Sequence, residues 1–82
     1  MKKLVEVENG LESLLGETVL FMCANYFYHG RVVGVSDDAV ELADAGIVYE
    51  TGPWTKAGFS DRQALPGNVF IRTSFIESYQ LA

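Results

Sequence analysis

The chain has 82 residues, 49% of them hydrophobic, and a net charge of −5 at neutral pH; that length holds one domain, which buries only about 60% of its unfolded surface and is marginal alone. Cys23 is the only cysteine and His29 the only histidine, so an in-chain disulfide is excluded, a zinc site is not expected, and association is the reinforcement left. Lys2, Lys3, Arg31, Lys56, Arg62 and Arg72 lie scattered among eleven acidic side chains, with no basic stripe, which argues against binding to duplex DNA.

Met1-Lys2-Lys3 leads into Leu4-Val5-Glu6-Val7-Glu8, where charges interrupt the apolar run, so no signal peptide is read there. No apolar stretch approaches the roughly 20 residues that span a bilayer. With one thiol and no disulfide, the chain reads as a soluble cytoplasmic protein with no cofactor. Residues 9–16 predict a short helix: Leu11, Leu14 and Leu15 fall at i, i+3 and i+4, Asn9 can cap the start and Gly16 the end. The periodicity then changes. Residues 18–24 are a continuous apolar run of strand length, and Asn25-Tyr26 suits a hairpin tip.

A second strand is predicted over residues 27–35, with Arg31, Val33 and Val35 on one face and Val32 on the other. Gly30 and Gly34 inside it permit the bend of a small barrel. Ser36-Asp37-Asp38 is a turn. A third strand over residues 39–50 carries Val40, Leu42, Ile47 and Val48, with a bulge near Asp44-Ala45-Gly46. Residues 52–67 lack periodicity and hold Gly52, Pro53, Gly58, Pro66 and Gly67, which predicts a loop long enough to suggest a binding or assembly role. Residues 69–72 and 75–79 give two last strands around Thr73-Ser74. The fold class is therefore mainly β: a short N-terminal helix followed by a five-stranded, strongly bent antiparallel barrel or curled sheet, in one domain spanning residues 1–82.

Two stretches resemble the Sm-like family of small β-barrels. Tyr28-His29-Gly30-Arg31-Val32-Val33-Gly34-Val35, running through Asp37-Asp38-Ala39-Val40-Glu41-Leu42-Ala43-Asp44-Ala45, is similar to the first Sm motif, a glycine-bent strand leading through a polar turn into an apolar strand. Val69-Phe70-Ile71-Arg72-Thr73-Ser74-Phe75-Ile76 is similar to the second, an Ile-Arg-Gly followed by a short apolar strand. The resemblance implies a ring of about five to seven subunits in which the fourth strand of one pairs with the fifth of the next, satisfying both sheet edges. It also implies single-stranded RNA at the ring pore, at Arg72, Thr73 and the turn of Asp37, Asp38 and Ala39.

Two departures bear on that site. RNA-binding Sm proteins carry an aromatic residue and an asparagine in the turn between strands two and three; here it is Ser36-Asp37-Asp38-Ala39, whose carboxylates repel phosphate. Thr73 stands where the motif has glycine. Arg72 can stack on a base and contact phosphate, or pair with Asp37 or Asp38 and stabilise a ring that engages protein partners without nucleic acid. Asp37 and Asp38 also serve simply as turn formers. His29 reads as a surface or hydrogen-bonded structural residue, with a ligand or base role as the alternative, and Tyr26, Phe27 and Tyr28 as core or interface, with base stacking as the alternative. Trp54, near Lys56, either folds back over the barrel end or meets a ligand. Cys23 reads as inert core. No nucleophile, base and orienting group can be assembled, so an enzyme is not expected.

Overall fold

β-branched and aromatic residues crowd the segments on either side of Asn25, and these form the first hairpin. Strand β1 is Thr18–Cys23 and β2 is Phe27–Val35, paired antiparallel with Phe21 opposite Tyr28. The computed structural model describes residues 10–55 and 57–82. Strand β3, Ala39–Glu50, follows the Ser36–Asp38 turn, where the Ala39 N–H donates to the Ser36 hydroxyl at 3.2 Å. Then come β4 (Asp61–Ala64), β5 (Val69–Arg72) and β6 (Ile76–Leu81). The strands lie in the order β4-β3-β2-β1-β6, with β5 also on β3.

Strand β3 therefore carries two partners along one edge. Its first third pairs with β5, Ala39 opposite Arg72 and Leu42 opposite Val69; its last third pairs with β4, Gly46 opposite Ala64 and Glu50 opposite Asp61. Between them lies the bulge the sequence predicts: the register against β2 slips between His29 and Arg31, and Asp44 takes a positive φ of 51°. Aspartate tolerates that left-handed conformation better than most residues. A second slip between Val32 and Gly34 is not legible in the alternation. It leaves Val33 exposed and turns Val32 and Val35 both toward the core, instead of placing Val35 with Arg31 and Val33.

The first face of the sheet holds the core: Leu14, Val19, Phe21, Cys23, Val32, Val40, Leu42, Ala45 and Ile71. Gly30 lets β3 cross close to β2, since a Cβ there would meet the Ala43 carbonyl oxygen and Leu42 Cβ, each at 3.1 Å. Leu20 and Val48, also buried, lie on the opposite face.

Three expectations need correction. The predicted helix over residues 9–16 is a five-residue 3-10 helix, Gly10–Leu14, and its Asn9 cap falls outside the described residues. A turn of three residues aligns i with i+3 and not with i+4, so Leu11 and Leu14 pack inward while Leu15 stays 50% exposed. The predicted loop over residues 52–67 contains β4, a strand whose sequence, Asp-Arg-Gln-Ala, has no apolar alternation. Finally, the barrel is not closed: β5 pairs only with β3 and β6 only with β1. A 3-10 turn, Thr73–Phe75, carries the chain away from β5 and delivers it to the far side of the sheet.

Candidate functional site

The five positions named by the resemblance come together at one end of the sheet. Strand pairing sets Arg72 opposite Ala39, and the Thr73 N–H donates to the Asp38 carbonyl at 2.8 Å. The Ser36 hydroxyl holds the Asp38 carboxylate at 3.0 Å, so the turn is braced by its own side chains. Asp37, Asp38 and Arg72 are exposed. The one ion pair among the described residues joins Arg31 to Asp44 at 3.0 Å, so within the chain neither turn aspartate holds Arg72. The Thr73 hydroxyl is buried with no hydrogen-bond partner.

Arg72 also lines a pocket of about 350 Å³ between β5 and the β1–β2 tip. Its walls include Tyr26, Tyr28, Phe70 and Phe75. Aromatic rings from the β1–β2 tip and from the β5 region thus share one pocket with Arg72. Tyr26 meets both Tyr28 and Tyr49 edge-on, at ring separations of 6.4 and 6.3 Å. Burial raises the Tyr28 hydroxyl above its usual range, and burial followed by Glu77 does the same to the Cys23 thiol, which stays protonated in the core.

A second constellation lies on the opposite face. Cross-strand pairing sets Gln80, Leu20, His29 and Gly46 in one row, each the partner of the next. Arg62 enters from β4 opposite Val48, and its side chain reaches back over Gly46. It fits because Gly46 has no side chain: a Cβ there would stand 2.6 Å from Arg62 Cζ. Arg62 Nε donates to His29 Nδ1 at 3.0 Å, and Nη2 donates to the backbone carbonyls of Asp44 at 2.8 Å and His29 at 3.4 Å. An accepting Nδ1 carries no proton, which fixes the neutral ring as its Nε2–H tautomer. Burial and then the Arg62 charge hold the His29 pKa below its ordinary value, in agreement with a neutral ring. The Phe59 ring stands edge-on to His29 at 4.9 Å.

These residues border a pocket of about 610 Å³, with Trp54, Pro53 and Leu81 on its remaining sides. Trp54 lines this pocket across from Leu20 and Leu81 of the sheet while remaining 66% exposed. His29 is the hydrogen-bonded structural residue the sequence suggests; Arg62 and Phe59, which complete its surroundings, are not singled out by sequence. Gly46 inside the long β3 strand is the trace they leave there, and it becomes readable only once β4 is known to pair with β3. Among the described residues no group of acidic, cysteine and histidine side chains could hold a metal ion, and no helix is long and apolar enough to cross a membrane. No protein-family model matches the chain, and no curated protein matches it.

Proposed function

We propose that this chain is a divergent Sm-like subunit that assembles into a ring through β5 and β6 and takes single-stranded RNA at Arg72. Of the three described strands with an open edge, β4, β5 and β6, the observation that carries the reading is the last two. β5 and β6 each have one unpaired side, and each bears exposed apolar residues: Phe70 on β5, Tyr79 and Leu81 on β6. Unpaired backbone beside apolar surface is a template for another strand, and a β5-to-β6 contact runs head to tail, which gives a closed ring when the rotation permits. Support for RNA comes from Arg72 beside Tyr26, Phe70 and Phe75, a cation among rings on which bases stack.

Sedimentation tests the assembly: a defined oligomer is expected at micromolar concentration, and a stable monomer there would defeat the ring. Phe70→Lys places a charge on an exposed edge position and should dissociate the oligomer while leaving the subunit folded. Fluorescence titration with oligo-U, oligo-A and mixed oligomers tests RNA. Arg72→Ala should weaken binding by about 1–3 kcal/mol per site with the ring intact. Asp37→Asn with Asp38→Asn should tighten it, by a margin that shrinks as salt rises.

A second reading is favoured by the exposed carboxylates of Asp37 and Asp38 beside Arg72 and by the net charge of −5. In it the ring engages protein partners, and Arg72 pairs with an aspartate of the neighbouring subunit. Arg72→Ala would then loosen the ring, and the wild type would show no RNA binding.

A further inference from the structure

The sheet face opposite the core carries a charge that no described residue answers with a carboxylate. Arg62 is half-buried, and every acceptor it reaches is neutral: one imidazole nitrogen and two backbone carbonyls. Those bonds use Nε and Nη2, and among the described residues Nη1 has no hydrogen-bond partner. No carboxylate among the described residues lies within ion-pair distance of it. A guanidinium fixed on three sides by neutral acceptors keeps its full positive charge and presents its remaining N–H groups in a set direction. His29 adds no second charge, because its ring is neutral.

The surroundings decide what can meet that charge. The pocket bordered by Arg62 measures about 610 Å³, and Leu20, Pro53, Trp54, Phe59 and Leu81 make most of its walls apolar. That volume falls within the range of small-molecule sites, and mostly apolar walls with a few convergent polar groups are their usual make-up. Exposed Trp54 and edge-on Phe59 offer ring faces and edges suited to a flat ligand. Apolar walls also lower the local dielectric, so a bound anion gains more from Arg62 than it would on an open surface.

We propose that this pocket binds a small planar monoanion, an aromatic carboxylate, with its carboxylate on Arg62 and its ring against Trp54 and Phe59. The site is separate from the edge at Arg72, and its occupancy does not depend on RNA binding.

Trp54 is the only tryptophan in the chain, so its indole N–H gives one isolated resonance at the pocket. Full-length protein should be titrated with naphthoate and, in parallel, with the uncharged naphthamide of the same shape. Naphthoate is expected to shift the Trp54 indole resonance saturably and to bind at least about tenfold more tightly than naphthamide, the scale of a hydrogen bond to a charged group. Arg62→Gln should abolish that preference, leaving the two compounds equal. Trp54→Ala, at an exposed position that spares the fold, should weaken both compounds alike in calorimetry. Equal binding of acid and amide by the wild type would overturn the proposal. So would naphthoate leaving the Trp54 resonance unmoved, or Trp54→Ala leaving affinity unchanged. Should Arg62→Gln fail to fold, the acid–amide comparison and Trp54→Ala decide the matter by themselves.

Discussion

The two faces of the sheet are both covered, yet by different chemistry. On the first, Val19, Phe21, Val32 and Leu42 are fully shielded from water, and the residues around them are apolar, drawn from β1, β2, β3, β5 and the 3-10 helix. On the second, Leu20 and Val48 are also buried, but Leu20 borders a pocket beside Arg62 of β4, its hydrogen bonds to His29 and Asp44, and the Phe59 ring. The first face is held by area, which is insensitive to direction, pH and salt. The second is held at a few polar points, each dependent on geometry and protonation. One strand, β1, serves both, which is why Leu20 is buried between the equally buried Val19 and Phe21.

The largest way to break this pairing of faces lies in the core. Phe21→Ala should cost about 3–5 kcal/mol and Leu42→Ala about 2–5 kcal/mol, enough to unfold a domain this small. Circular dichroism during urea titration would report it, and a midpoint shift of only a few tenths of a molar would show that the first face is not the dominant support.

A smaller, more selective break is available at Gly46. Gly46→Ala places a Cβ against the Arg62 guanidinium. The arginine can swing away, so the expected cost is that of the forfeited hydrogen bonds, about 1–2 kcal/mol. The same substitution in an Arg62→Ala background should cost much less, and thermal melts of the four-protein cycle measure the difference. An equal loss in both backgrounds would mean that Gly46 matters for some reason other than Arg62.

Protonation separates the faces without mutation. The folded pKa of His29 lies below its ordinary value of 6.5, so below that pH the unfolded chain binds a proton that the folded one refuses. Stability is therefore fully present above pH 6.5, falls as pH drops through that value, and levels off below the folded pKa. His29→Gln keeps a hydrogen-bond acceptor and removes the titration, so its stability should vary less between neutral and mildly acidic pH. Identical pH dependence of the two proteins would place the acid sensitivity elsewhere.

The smallest effect is expected at the surface pair of Arg31 and Asp44, both exposed. Asp44→Asn keeps a residue tolerant of the left-handed backbone and discards the charge, and it should change stability by less than about 1 kcal/mol. A larger loss in a thermal melt would show that the bulge leans on that ion pair.

The same contrast explains what was legible in the sequence. Strands β2, β3 and β5 match their predicted bounds, because β-branched and aromatic residues there are bracketed by turn formers. β1 ends one residue earlier than predicted, and the last strand runs over Ile76–Leu81 instead of residues 75–79. The bulge at Asp44 was legible from Asp44-Ala45-Gly46, whereas the slip at Val33 was not, because a Val-Val pair carries no mark of which residue is the extra one. β4 was illegible for a physical reason: its residues hold no apolar alternation, and it is a strand only because the last third of β3 offers an unpaired edge. Hence Arg62 and the pocket it borders could not be seen, since their partners His29 and Gly46 are distant in the chain. Arg72 was reached through the resemblance and Tyr26 was weighed as a stacking ring, but their sharing one pocket was not legible, since the β1–β2 tip meets the β5 region only in three dimensions.

The order of the strands has a consequence for how the chain is made. β1 lies between β2 and β6, pairing Val19 with both Gly30 and Leu81. Its first neighbour is synthesised immediately after it, and its second only when the last described strand emerges. Until then Val19, Leu20 and Phe21 present an apolar strand with one bare edge, and the final pairing must close a loop spanning nearly the whole described chain, an intrinsically slow step. The nascent chain is thus exposed to mispairing at β1 from the emergence of β2 until that of β6.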